Sequence, residues 1–150
     1  MRPLYIFDID GTLALNEHRK HHIKGPKKDW RAFYDACPMD LPNWPVIHTL
    51  QAILADGAEI WFFTGRDELT RVATEEWLKM NVLQGQAIVL LRMRPVANYT
   101  PDDVMKEQWL AGMSGHDRSR LIATFDDRDK VVSMWRRNGV TCYQVAPGDF

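Results

Sequence analysis

The stretch Tyr5-Ile6-Phe7-Asp8-Ile9-Asp10-Gly11-Thr12-Leu13 decides how the rest of the chain is read. The apolar run Leu4 to Phe7 has the length and the β-branched and aromatic content of a buried strand. Two carboxylates one residue apart follow it, then a glycine and a threonine. Burying the run brings Asp8 to the carboxyl end of the strand, where open α/β sheets hold their ligands. Gly11 lets the backbone turn sharply past such a ligand. A plain Asp-Gly turn explains Asp10 and Gly11 but leaves Asp8 near the buried end without a partner. A metal cation supplies one, so the stretch points to a phosphate or metal site.

The remaining composition narrows the field. The chain has 150 residues, enough for one domain with a real core. Its net charge of −1 provides no global field toward nucleic acid or membrane, so any such affinity comes from local clusters. The apolar runs are too short to span a bilayer, and Met1-Arg2-Pro3 leads straight into the first strand without a signal peptide. Cys37 and Cys142 are too few and too distant for a disulfide framework. Reduced thiols in a cytoplasm are the simpler expectation.

Residues 16–41 follow the two aspartates and are rich in base: His18, Arg19, Lys20, His21, His22, Lys24, Lys27, Lys28 and Arg31. A short helix over Asp29 to Ala36 fits, with Asp29 at its start and Pro38 past its end. A crossover to a parallel strand needs only one helix, so this segment is additional. It reads as a small basic cap (16–41) on a core of 1–15 and 42–150, with a solvated charged loop as the plainer reading. His18, His21 and His22 have spacings that suit Zn²⁺, but they lack a fourth ligand, and exposed histidines explain them better.

Beyond Asn43, helices and short apolar runs alternate. A helix from Asn43 carries Val46, Ile47, Leu50, Ile53 and Leu54 on one face and stops at Gly57. Ala58–Phe63 is a strand ending in Thr64-Gly65-Arg66. A helix over Asp67–Met80 turns Leu69, Val72, Ala73, Trp77 and Met80 inward. A strand over Gln86–Leu91 leads into a loop with Arg92 and Arg94. A helix from Asp102 carries Lys106, and Leu121–Phe125 is a strand ending in Asp126-Asp127. Asp129–Asn138 is a helix, and Val140–Val145 is a fifth strand. This alternation predicts an α/β, Rossmann-like fold, a central parallel sheet of about five strands with helices on both faces.

Asp8, Asp10, Thr64, Asp126 and Asp127 all fall at strand ends, and Lys106 lies near a helix start. In a parallel sheet such ends gather along one edge. Carboxylates collected there repel unless a divalent cation and a lysine balance them. An all-oxygen set favours Mg²⁺ over Zn²⁺. Metal, carboxylate, hydroxyl and lysine together suit phosphoryl transfer.

Four motifs carry a resemblance to the haloacid dehalogenase superfamily of phosphotransferases: Asp8-Ile9-Asp10-Gly11-Thr12, Phe62-Phe63-Thr64-Gly65-Arg66, Lys106, and Phe125-Asp126-Asp127. The segment Asp126 to Phe150, with Asp102-Asp103-Val104-Met105-Lys106, resembles the 3′-phosphatase domains of polynucleotide kinases of T-even bacteriophages. The likeness covers the whole chain, more loosely between Lys20 and Leu41. The Gly-x-x-x-x-Gly-Lys-Ser/Thr loop of a kinase is absent from these residues, so the expectation is a phosphatase.

The resemblance implies a role for each residue. Asp8 is the nucleophile and Asp10 the general acid and base. Mg²⁺ is held by Asp8, the Asp10 main-chain carbonyl and Asp127, with Asp126 orienting Lys106 or a metal-bound water. Thr64 and Lys106 bind phosphate oxygens, joined on the substrate side by Gly65, Arg66 and Arg19. For Arg66, a helix-start ion pair with Asp67 or Glu68 stands as the alternative, and for Asp102 a plain helix cap does. Lys27 and Lys28 suit a nucleic acid backbone, and Trp30 suits either base stacking or anchoring the cap. The implied function is a Mg²⁺-dependent polynucleotide 3′-phosphatase acting on DNA or RNA ends. It is located in the cytoplasm, that of the host if phage-encoded, with a separate kinase or ligase as a possible partner and no membrane. The alternatives are a phosphatase of nucleotides or other small esters, and a non-catalytic module that binds nucleic acid ends.

Overall fold

A computed structural model describes residues 1–150. The opening apolar run forms β1 (Leu4–Phe7). The residues after it fold into β2 (Ala14–Leu15), a 3-10 turn over Glu17–Ile23, α1 (Trp30–Asp35), a second 3-10 turn over Cys37–Met39, and β3 (Leu41–Pro42). The main body follows as α2 (Trp44–Ala55), β4 (Glu59–Asp67), α3 (Arg71–Asn81), β5 (Leu90–Arg94), α4 (Asp102–Ala111), α5 (Gly115–Arg120), β6 (Leu121–Asp126), α6 (Asp129–Arg137) and β7 (Cys142–Gln144).

The five long strands make one parallel sheet in the order β5-β4-β1-β6-β7. The central strand β1 puts Phe7 level with Phe62 on β4 and Phe125 on β6. Alternation along the strands divides the core in two. Phe7, Ile60 and Phe62 pack with Val46, Ile47 and Leu50 of α2 and Trp77 and Leu78 of α3. Leu4, Ile6, Trp61 and Phe63 pack on the other face with Leu110 of α4 and Val131, Met134 and Trp135 of α6. Both faces are covered, which explains why the strands read as continuous apolar runs. The expected α/β architecture is present.

The cap segment leaves and returns through the antiparallel pair β2–β3, Ala14 opposite Pro42 and Leu15 opposite Leu41. The helix expected over Asp29–Ala36 is α1, with Asp29 accepting the Ala32 amide at 3.0 Å as its N-terminal cap. Both cysteines are free and buried.

Four details differ from the sequence reading. β4 does not stop at Phe63 but runs on through Thr64, Gly65 and Arg66 to Asp67, which pairs with Arg94. Accordingly β5 begins at Leu90, and Arg92 and Arg94 are strand residues with Leu91 and Met93 buried between and before them. The helix after β4 opens with a 3-10 turn over Glu68–Thr70, which resets its phase. Its inner face is therefore Thr70, Thr74, Trp77 and Leu78, whereas Leu69, Val72 and Met80 point to solvent. The short α5, capped by Ser114 on the Asp117 amide at 3.0 Å, carries no apolar stripe that would announce it.

Candidate active site

The carboxyl ends of β1 and β6 lie side by side, the Asp8 amide donating to the Phe125 carbonyl at 3.0 Å. This sets Asp8 beside Asp126 and Asp127. Lys106, buried on α4, donates to Asp8 Oδ1 at 2.9 Å and to Asp126 Oδ2 at 2.8 Å. The Thr12 hydroxyl donates to Asp8 Oδ2 at 3.0 Å. Asp126 Oδ1 accepts the amides of Asp127 and Arg128 at 2.9 and 3.1 Å. Asp126 thereby joins the lysine to the loop. Gly11 has φ +78°, and a Cβ there would stand 2.0 Å from Asp127 Oδ2. Only glycine lets the first loop and the acidic loop approach so closely.

Asp8, Asp126 and Asp127 each offer an oxygen within 4.8 Å of the others. Burial pushes the Asp8 carboxyl well up, Asp126 adds to this, and Lys106 opposes it. Burial and Asp126 push Asp127 up to about 6. Burial disfavours the Lys106 charge, but Asp126 and Asp8 hold its ammonium well above the usual range. Three buried carboxylates against one ammonium leave negative charge uncompensated. This hard-oxygen cluster fits a divalent cation of the Mg²⁺ type.

A second, buried lattice lies beside the first. Arg66 donates through Nε and Nη2 to Asp10 Oδ1 at 3.0 and 2.8 Å, and through Nη2 to Asp40 Oδ2 at 2.8 Å. Its Nη1 donates to the Thr74 hydroxyl at 3.1 Å. Arg19 donates to Asp10 Oδ1 at 2.6 Å and straddles Asp40 at 2.8 and 2.7 Å. Both arginines have 0 % exposure. Burial works to raise the Asp10 pKa, but Arg66 and then Arg19 outweigh it and hold the carboxyl below its ordinary value. Arg19 and Arg66, expected on the substrate side, stand buried at the edge of the site. Their guanidinium groups are engaged on Asp10 and Asp40. The helix-start pairing considered for Arg66 is not formed; Glu68 is taken by Arg71 at 2.6 Å.

Asp40 escaped the sequence reading. It sits just before β3, is buried, and also meets His18 Nε2 at 2.7 Å. Its carbonyl accepts from the Trp77 indole at 2.9 Å. Nothing in its sequence neighbourhood separates it from a surface aspartate. His18 is thus drawn to Asp40, while the His21 and His22 rings lie tilted against each other at 3.9 Å.

Thr64 is fully buried within β4, three residues before its end, its hydroxyl accepting the Arg66 amide at 3.1 Å. The Gly65 carbonyl accepts from Arg94 Nε at 3.0 Å and from the Tyr34 hydroxyl of the cap at 3.4 Å. A Cβ on Gly65 would stand 2.4 Å from Asp102 Oδ1. Asp102 makes no capping bond to its own helix; its carboxylate pairs with Arg94 and, at 3.6 Å, with Arg128. Trp30 stays 47 % exposed, stacked on Tyr34 and edge-on to Phe33.

The sheet and its covered faces are those of a haloacid dehalogenase-like fold. The fold matches the haloacid dehalogenase-like protein SP0104 from Streptococcus pneumoniae, with TM-score 0.65 and 14% identity over 95% of this chain and 84% of that one. It matches a class C acid phosphatase from Bacillus anthracis, solved with tungstate bound, with TM-score 0.65 and 14% identity over 99% and 67%. Within this class, residues 2–150 match the family described as the polynucleotide kinase PNKP phosphatase domain, and the chain belongs to it. It is a phosphatase-type hydrolase by that membership. A chain of the Pnkp1/Rnl/Hen1 RNA repair complex aligns with TM-score 0.80 and 32% identity over 99% of this chain. This chain spans only 44% of the length of that one. No helix is long and apolar enough to cross a membrane.

Proposed function

We propose that this protein is a Mg²⁺-dependent polynucleotide 3′-phosphatase that converts a terminal 3′-phosphate of DNA or RNA to a 3′-hydroxyl. The observation that carries this reading is the Asp8 carboxylate held between Lys106 and Thr12 at one strand end, with Asp10 two residues on, in a chain of the PNKP phosphatase family. The likeness to a chain of an RNA repair complex supports a place in nucleic acid end repair. A separate kinase or ligase partner fits that setting.

Asp8 attacks phosphorus, forming an aspartyl-phosphate as the bond to the sugar 3′-oxygen breaks. Asp10 gives its proton to that oxygen. A water then attacks the aspartyl-phosphate, its proton passes to Asp10, and inorganic phosphate leaves with Asp8 restored. Lys106 and Thr64 bind phosphate oxygens and stabilise the charge that builds up in the transition state. In the resting arrangement Arg19 and Arg66 hold Asp10 as a carboxylate. Part of their attraction passes to the incoming phosphate, which frees Asp10 to carry the proton. Mg²⁺ held by Asp8, the Asp10 carbonyl and Asp127, with Asp126 alongside, would offset repulsion between the nucleophile and the phosphate.

The polynucleotide preference is supported by the cap. It is short and basic, and it places the exposed Trp30 beside Tyr34, whose hydroxyl reaches the Gly65 carbonyl. The test is phosphate release from an oligonucleotide with a 3′-phosphate, against the same oligonucleotide with a 5′-phosphate and a panel of small esters, with Mg²⁺ and with chelator. Metal-dependent release confined to the 3′ end is expected. Faster release from small esters would move the assignment to the small-ester phosphatases, and binding without release would leave an end-binding module.

A further inference from the structure

The residues that follow β7 return to the acidic loop. The Asp129 amide donates to the Gly148 carbonyl at 2.7 Å, and Gly148 packs so closely that a Cβ there would stand 2.0 Å from the Asp127 carbonyl oxygen. Arg128 Nε then donates to the Phe150 carbonyl at 2.7 Å. This brings the Phe150 ring, 55 % exposed, within reach of two cations of different origin. The Arg128 guanidinium of the core stands 5.3 Å from the ring centre, and Lys20 Nζ of the cap stands 5.5 Å from it.

These groups border the site. Arg128 directly follows Asp126-Asp127, and its side chain meets Asp102, which abuts Gly65 of the phosphate turn. A rim therefore runs from Thr64–Gly65 through Asp102 and Arg128 to Phe150 and Lys20.

We propose that Lys20 and Arg128, held over the Phe150 ring, form a subsite for the internucleotide phosphodiester next to the reacting terminal phosphate. The inference rests on the end-phosphatase reading. Two like charges drawn to one ring repel each other, and an anion bound at this rim offsets that cost. Each keeps donors unspent. Arg128 Nε holds the Phe150 main-chain oxygen and Nη1 stands 3.6 Å from Asp102, whose other oxygen belongs to Arg94, which leaves Nη2 free. Lys20 meets Glu17 at 2.5 Å, but that carboxylate lies open to solvent, where such a pair contributes little. The ring attracts both cations and keeps their long side chains aimed at the rim. A diester, with one negative charge on two free oxygens, matches a planar guanidinium and an ammonium. A small phosphate ester has no such group, so the subsite would separate polynucleotide ends from small esters.

The test compares kcat/KM for a 3′-phosphorylated dinucleotide with that for the nucleoside 3′-monophosphate, which lacks the diester. Lys20→Gln and Phe150→Ala should each reduce the preference for the dinucleotide by about tenfold. Lys20→Gln should also lower the salt dependence of oligonucleotide turnover by about one phosphate contact. Lys20 lies on the cap surface, so this variant reads the subsite without disturbing the acidic loop. An equal fall on both substrates would show a strap that merely steadies Asp127, and no change on either would show an idle rim; each overturns the subsite. Wild-type protein that releases phosphate from neither 3′-phosphorylated substrate overturns the end-phosphatase reading itself, and the subsite with it.

Discussion

Asp40 shows what one buried carboxylate does in this chain. It neutralises two arginines that have no access to water and ties the cap's last residues to the core. Removing one partner of such a lattice leaves charge buried without compensation, which commonly costs about 3–5 kcal/mol. Asp40→Ala should therefore lower the urea midpoint strongly, and Asp40→Asn less so. An unchanged midpoint for Asp40→Ala would mean that Asp10 alone satisfies both guanidinium groups. Asp127 gives a second prediction, in pH. Its folded pKa is raised to about 6, so the folded state binds a proton more tightly than the unfolded chain does. Its contribution favours folding at low pH and is lost as pH rises from its ordinary value of 3.8 through about 6. The raised Asp8 adds in the same direction. Without divalent cation, thermal stability should fall across that window, and Asp127→Asn should flatten the fall. At this scale Asp8, Asp126 and Asp127 were legible because each closes a motif at a strand end, and Lys106 because it follows a helix start signal. Asp40 was not, because its partners lie 21 and 26 residues away in sequence and no spacing rule joins them.

At the scale of elements, the strands announced themselves by apolar runs, and their polar ends were misjudged for a physical reason. Thr64, Gly65 and Arg66 look like the end of a strand, yet β4 continues through them because Arg66 turns inward to Asp10 and Asp40. An arginine satisfied by two buried carboxylates behaves as a core residue, and hydropathy does not show that. The same inward arginine draws Thr74 to the inner face of α3, where apolar periodicity had put Leu69 and Val72. Gly65 is the tight point of this element, with Asp102 occupying the space of its missing side chain. Gly65→Ala forces Asp102 away from Arg94, and such overpacking costs about 1–3 kcal/mol. Phosphate release should fall by more than the thermal midpoint suggests, because the strand backbone next to Thr64 would move. Full activity in Gly65→Ala would show that Asp102 shifts freely.

Over the whole molecule, a parallel sheet with two covered faces gathers five strand ends on one edge, and the short cap closes over that edge. The order of motifs was enough to read this plan, because alternating apolar runs and helices admit few topologies. How the cap is held was not legible, since Arg19 and Asp40 join its two ends by buried ion pairs that charge counting reads as solvated surface. Binding to the folded state alone should make Mg²⁺ raise the melting temperature, by an amount that grows with its concentration and is absent in Asp127→Asn. Equal shifts in both proteins would place the cation elsewhere. The most direct measurement is a single turnover with an oligonucleotide carrying a radiolabelled 3′-phosphate, quenched in acid and read as label on the protein. Label should appear transiently on the wild-type chain, persist in Asp10→Asn, and be absent in Asp8→Asn together with phosphate release. Phosphate release that survives in Asp8→Asn, with no label on any chain, would contradict the account.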